Sequence, residues 1–267
     1  MKKINFAFFG GEPLAVPTLE TLYKNGLTPS LIICNPDKPA GRNLEMTPPP
    51  TKLWAIEHNI QFIQPERPSK DGINESFDVF VVVAYGKIIP KEVLDQATYG
   101  TINIHPSLLP KYRGPSPMIS AILNGDTETG VTIIKIDEEM DHGPILAQEK
   151  VDLVGNEYIG DLEKTLAELG GKLLVKVMQK LPDITETEQD HSKATFVKKF
   201  KKEDSEIKLD GDPIQNWRKF RAFHNNLRTF FFKDGKRYII TDAALENGTF
   251  VIKKVIPEGR KEIDYKN

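Results

Sequence analysis

Apolar residues in the first 140 positions concentrate in short runs, at residues 4–9, 31–34, 79–83, 101–104 and 131–136. Runs this brief are too short for buried helices, and they lack the polar alternation of strands with one wet face. They read as strands covered on both sides, as in a parallel sheet. Helical patterning falls between them. Residues 17–25 place Leu19 and Leu22 three apart ahead of Gly26, residues 52–59 have a helical composition, and 61–63 form a short extended piece. Strand and helix in alternation predict a doubly wound, Rossmann-like α/β domain with a mostly parallel sheet over residues 1–184. In such sheets ligands bind beyond the carboxyl ends of the strands.

The pattern then changes. From Asp161, the residues Leu162, Leu166, Leu169, Leu173 and Val177 recur at spacings of three and four, a helix whose stripe is core packing rather than a cofactor box. Residues 185–205 are polar, rich in Thr and Lys and without a sustained period, and are expected to be a linker. Residues 206–267 give one helix at 213–223 and strand-like pieces at 230–232, 237–241 and 249–255. Lys233-Asp234-Gly235-Lys236 is a hairpin turn between the first two pieces. This predicts a small, short, barrel-like β-rich C-terminal domain, marginal by itself at that length.

Composition narrows the class without choosing a function. The 39% hydrophobic and 28% charged content is that of a soluble globular protein, and the formal net charge is −2. The charge is uneven: residues 193–237 hold 13 Lys/Arg against 6 Asp/Glu, enough to contact a nucleic-acid backbone. Cys34, the single cysteine, excludes an internal disulfide and suits a reducing compartment. No apolar run approaches the roughly 20 residues of a membrane span. The residues after Met1 do not read as a signal peptide. A cytoplasmic protein is expected.

The chemistry is concentrated after the predicted strands. Asn103 and His105, two apart on an extended backbone, point to one side, and a Pro- and Gly-punctuated loop follows them. A buried amide and imidazole need partners, and together they can surround a reacting carbonyl. The first strand ends in Gly10-Gly11-Glu12-Pro13, which is not a dinucleotide fingerprint. The third ends in Ala84-Tyr85-Gly86-Lys87-Ile88-Ile89-Pro90, where Gly86 permits close backbone approach, and the fifth in the carboxylate-rich loop 137–143. His105, Asp141 and His142 lack the spacing of a zinc site, so no metal is expected. Ser107 lacks the Gly-x-Ser-x-Gly elbow of a hydrolase.

The segments Val81–Pro90, Asn103-Ile104-His105-Pro106-Ser107-Leu108-Leu109-Pro110-Lys111-Tyr112-Arg113-Gly114 and Glu128-Thr129-Gly130-Val131-Thr132 resemble the folate-dependent formyltransferases, over roughly residues 1–210. The resemblance implies transfer of formyl from 10-formyltetrahydrofolate to an amine, without a metal. It implies catalytic roles for Asn103, His105 and Asp141. It places folate on Leu108, Leu109, Pro110 and Lys111 and against Tyr85, Gly86, Lys87 and Ile88. The loop 35–42, continuing to Pro48-Pro49-Pro50, is similar to the insertion of the tRNA-acting members. It implies initiator Met-tRNA as partner, with Arg42 approaching the acceptor end, and the enzyme is expected to act as a monomer. The tail after the helix at 213–223 is shorter than is usual in those members and lacks their Pro-Trp-Pro-like segment. Arg218, Lys219, Arg221 and Arg228 are its candidate phosphate contacts. A nucleotide-linked amino sugar is the alternative acceptor, and a non-catalytic folate- or nucleotide-binding module is a third reading.

Overall fold

The computed structural model describes residues 4–40, 44–73, 75–225 and 227–266. In chain order these form β1 (Phe6–Gly10), α1 (Ala15–Lys24), β2 (Leu31–Ile33), β3 (Lys38–Ala40), β4 (Glu45–Thr47), α2 (Pro50–Glu57), β5 (Gln61–Ile63), β6 (Val79–Val83), α3 (Lys91–Leu94) and β7 (Thr101–His105). There follow α4 (Pro117–Asn124), β8 (Glu128–Lys135), β9 (Ile145–Asp152), α5 (Ile159–Lys180), α6 (Pro213–Ala222), β10 (Phe230–Lys233), β11 (Lys236–Glu246), β12 (Thr249–Pro257) and β13 (Ile263–Asp264). They sort into two compact units. The first comprises residues 1–113, 130–150 and 164–195, and the second residues 114–129, 151–163 and 196–267.

The first unit is built on a seven-stranded sheet of order β5-β2-β1-β6-β7-β8-β9. β1 pairs in parallel with both β2 and β6, and β6 in parallel with β7. All five residues of β1 and of β6 are buried, which is why both read as unbroken apolar runs. Phe9 meets Phe80 and Tyr85 edge to face, with centroids 5.3 and 5.4 Å apart, anchoring the core on one face. α5 covers β7 from one side: Gly170 lies so close to Ile104 that a Cβ there would meet its Cγ2 at 2.9 Å. Alternation along β7 then sends Asn103 and His105 to the opposite side.

β8 departs from the parallel pattern. It runs antiparallel to β7, with His105 opposite Thr132 and Ile102 opposite Lys135. The loop after β8 therefore leaves beside the start of β7, not its end, and Asp141 reaches His105 because that loop doubles back. β9, beside β8, has no counterpart among the predicted strands. Beyond Ala147 its residues alternate between exposed and half-buried, so it carries no apolar run to detect. The short antiparallel pair β3–β4 occupies the segment expected as an insertion loop.

The second unit contains the four-stranded antiparallel sheet β10-β11-β12-β13. β10 and β11 turn at Asp234 and Gly235, with φ of 51° and 71°, the left-handed pair that a tight hairpin requires. Its core gathers Ile207, Phe220, Phe231, Ile240, Ala243, Ile252 and Val255, with Tyr158 and Trp217 packed against them. α6 starts at Asp212, whose Oδ1 accepts the Ile214 N–H at 3.1 Å, and has Pro213 in its first turn. Three of the four cations considered for phosphate contact have structural partners here. Arg221 is only 3% exposed and donates to the Glu157 carbonyl at 2.9 Å. Lys219 donates to the Glu206 carbonyl at 2.8 Å, and the Arg218 guanidinium packs over Gly125 at the end of α4. Arg228 is exposed.

Candidate active site

His105, the last residue of β7, is 4% exposed. Its Nε2 lies 2.9 Å from the Tyr112 carbonyl oxygen. A carbonyl can only accept, so Nε2 carries the hydrogen and donates it. That leaves Nδ1 as the ring atom turned toward Asp141, whose Oδ2 is 3.6 Å away. This separation is too long for a hydrogen bond. Asn103 is half-buried on the same face of β7. Asp141 has φ +52°, a left-handed conformation that Asp, like Asn, adopts more readily than most side chains. His142, its neighbour, is engaged with Asp137 Oδ2 at 2.6 Å and stacks on His191, centroids 4.1 Å apart.

The loop after β7 is held from several directions. Buried Thr132 Oγ1 donates to the Ser107 carbonyl at 2.6 Å and accepts the Leu109 N–H at 3.1 Å. Gln148 Nε2 reaches both that hydroxyl, at 2.9 Å, and the Leu109 carbonyl, at 3.0 Å. Ser107 closes its own turn by donating to the Lys111 carbonyl at 2.6 Å. It is a turn residue, not a nucleophile. The Leu109–Pro110 peptide is cis. Leu109 is buried, Leu108 packs into the space left by Gly130, and Lys111 is exposed with its ammonium 4.7 Å from the Tyr112 ring centroid.

The turn after β6 has a different character. Ala84 and Gly86 are both left-handed, with φ of 48° and 72°. The Tyr85 side chain turns into the core, and burial pushes its phenol up to about 12. Its carbonyl accepts the Asn35 amide at 2.9 Å. Lys87 extends away to the carbonyls of Pro65 and Glu66, at 3.1 and 2.8 Å. Ile88 is 91% exposed. Arg42 lies outside the described residues. Burial also raises the Cys34 thiol from 9.0 to about 11, which leaves it protonated and inert near neutrality.

The partners that fix this geometry were not legible beforehand. Gln189 and Thr195 belong to the polar stretch after α5. Thr195 Oγ1 accepts the Tyr112 N–H at 2.8 Å, and its carbonyl accepts the Arg113 N–H, also at 2.8 Å. Gln189 and Arg113 are both buried and joined by hydrogen bonds. Neither period nor composition marks these residues. Of these residues, Tyr112 and Arg113 fell within a motif singled out by sequence, whereas Gln189 and Thr195 did not.

The comparisons decide what kind of protein carries this site. The family model described as formyl transferase matches residues 2–178. The chain belongs to the formyl transferase family. It is 42% identical over 245 residues to the methionyl-tRNA formyltransferase of Chloroflexus aggregans, covering 89% of this chain and 79% of that protein. It is 39% identical over 228 residues to the enzyme of that name from Caldicellulosiruptor saccharolyticus, covering 82% of this chain and 73% of the relative.

Solved structures support the fold of this formyl transferase. Methionyl-tRNA formyltransferase from Clostridium thermocellum matches with a TM-score of 0.66 at 18% identity, over 98% of this chain and all of that one. An N-formyltransferase from Helicobacter canadensis, solved with folinic acid and dTDP-3-aminofucose, matches with a TM-score of 0.70 at 20% identity, over 91% and 88% of the two chains. Among the described residues, no helix of this formyl transferase is long and apolar enough to cross a membrane.

Proposed function

We propose that this formyl transferase moves the formyl group of 10-formyltetrahydrofolate onto the α-amino group of methionine carried by initiator tRNA, in the cytoplasm and as a monomer. The observation that carries the reading is the His105 ring, held by the Tyr112 carbonyl through Nε2 and turned to Asp141 through Nδ1, two residues from Asn103. Relatives near 40% identity bearing the methionyl-tRNA formyltransferase name favour this acceptor.

The residues present suit a folate. The turn at 85–88 offers backbone at Tyr85, no side chain at Gly86 and an exposed apolar Ile88, a surface against which a flat heterocycle can lie. Lys87 contributes through its backbone, since its ammonium is engaged elsewhere. The segment Leu108–Lys111, braced by Thr132 and Gln148, completes the folate side. When bound, the folate supplies an activated formyl group.

Each side chain then has a separate task. The Asn103 amide donates to the formyl oxygen as negative charge develops there. His105 has committed its Nε2 hydrogen to Tyr112, so Nδ1 is the acceptor of the neutral ring and the atom that can take up a proton, and only once it has done so can it donate toward the same charge. Asp141 orients His105 and accepts the proton that the attacking amine must lose, and that proton goes on to N10 of the leaving tetrahydrofolate as its bond to the formyl carbon breaks, which regenerates the carboxylate. That amine is readily deprotonated, because α-amino groups ordinarily titrate at about 7.7–8.0. The region 206–267 is the part we assign to the tRNA, with exposed Arg228 among its phosphate contacts and Arg42 at the acceptor end.

The deciding experiment offers formyl donor with Met-tRNA and, separately, with a panel of nucleotide-linked amino sugars. Formyl-methionyl-tRNA is the expected product. Formylation of the sugars alone would overturn the proposed acceptor while leaving the amine chemistry in place.

A further inference from the structure

Gln189 is 4% exposed within a stretch of otherwise polar and mostly exposed residues. Its Oε1 lies 3.2 Å from Arg113 Nε and 2.8 Å from Arg113 Nη2. Its Nε2 lies 2.9, 3.0 and 2.8 Å from the carbonyl oxygens of Asp141, His142 and Gly143. The amide orientation is set by these neighbours. A guanidinium only donates and carbonyls only accept, so oxygen must face Arg113 and nitrogen must face the turn. Arg113 is itself 3% exposed, and its Nη2 is also 2.8 Å from His191 Nδ1. The clamp therefore rests on a cation fixed in the interior.

The gripped turn is one that needs gripping. Asp141 turns the chain through a left-handed backbone, and Gly143 passes so close to the Lys135 carbonyl that a side chain there could not be accommodated, so a small shift of the turn meets backbone. The three carbonyls bound by Gln189 begin with that of Asp141, the residue whose carboxylate faces His105. We propose that Gln189 is a positioning residue, clamping the 141–143 turn so that the Asp141 carboxylate stays turned to Nδ1 of His105. This rests on the reading of His105 and Asp141 as the pair that handles charge and proton. A bland structural role, in which Gln189 merely solvates Arg113, predicts a loss of stability without a selective loss of turnover.

Gln189→Glu separates the two. It keeps the shape and strengthens the contact to Arg113, but it sets an acceptor against three carbonyl oxygens. In the full-length enzyme kcat falls about ten- to a hundredfold while KM for folate donor and amine acceptor stays within about threefold. Added to Asp141→Asn, it costs less than about threefold more, because the clamp acts through a carboxylate already lost. Gln189→Met, which brings no charge, gives the same kcat–KM split, and thermal unfolding shows both variants folded. Independently of activity, the ring nitrogen resonances of His105 in Gln189→Glu move in the direction seen in Asp141→Asn. Normal kcat in a folded Gln189→Glu enzyme, losses that multiply in the double variant, or unmoved His105 resonances would each overturn the clamp. If the unmodified protein formylates no acceptor, the functional reading fails, whereas the His105 resonances still decide the clamp.

Discussion

Removing the Asn103 amide takes away a donor and little else, because the residue is half-buried at the end of β7 rather than packed in the core. Asn103→Ala should lower kcat by about 100- to 1,000-fold, the usual cost of losing one oriented donor to a developing oxyanion. Asp141→Asn is nearly isosteric and should cut turnover comparably. Folate binding, measured by fluorescence titration, should change little in either variant. Near-normal turnover in either would mean that the reacting carbonyl lies elsewhere. At this scale sequence reading names Asn103, His105 and Asp141 from residue type, spacing and resemblance, and the structure brings His105 and Asp141 within 3.6 Å of each other. Sequence reading could not reach the orientation of the ring. That depends on the carbonyl of Tyr112, at φ +64°, and a backbone oxygen leaves no trace in side-chain identity.

The strand-to-loop connection after β7 depends on an element whose direction the sequence does not reveal. Residues 131–136 are largely apolar, and burial on both faces favours such a run whichever way a strand points. Antiparallel pairing puts Thr132 opposite His105. From there its hydroxyl can bond Ser107, Leu109 and Gln148 together. Thr132→Val keeps the shape and deletes the hydroxyl, stranding the Leu109 N–H away from water. The expected cost is about 1–3 kcal/mol, the penalty for an unsatisfied buried donor. Denaturant unfolding should show it as a lower midpoint with an unchanged slope. Folate affinity should weaken as well, since residues 108–111 lose their brace. A variant as stable as the parent would show that the loop is held by packing alone. β9 and the Gln189–Thr195 stretch escaped detection for a related reason. Their residues are held by hydrogen bonds at half-exposed positions, and such contacts impose no hydrophobic period.

At the scale of the whole molecule, the two units are interleaved along the chain, and this determines how the protein can be cut. Sequence patterning suggested consecutive domains, residues 1–184 and 206–267 about a linker, because apolar periods report local elements and not which distant segments pack together. Residues 114–129 and 151–163 instead group with residues 196–267. α4 buries Pro117, Ser120, Ala121 and Ile122 and packs with α6, and Tyr158 packs edge to face on Trp217 and Phe220, with centroids 5.9 and 6.1 Å away. Arg221 donates to the carbonyl of Glu157 in the same segment. A fragment of residues 1–195 keeps the first unit's residues, yet leaves these two insertions without the surfaces that cover them. It should bind a hydrophobic dye, aggregate at micromolar concentration and unfold over a broader temperature range than the full chain. Supplying residues 196–267 as a separate polypeptide should restore solubility, because it returns the partners of α4 and Tyr158 in the second unit. A fragment 1–195 that melts sharply without binding dye would show that α4 and Tyr158 find adequate packing by themselves, and that the C-terminal segment is dispensable for the fold.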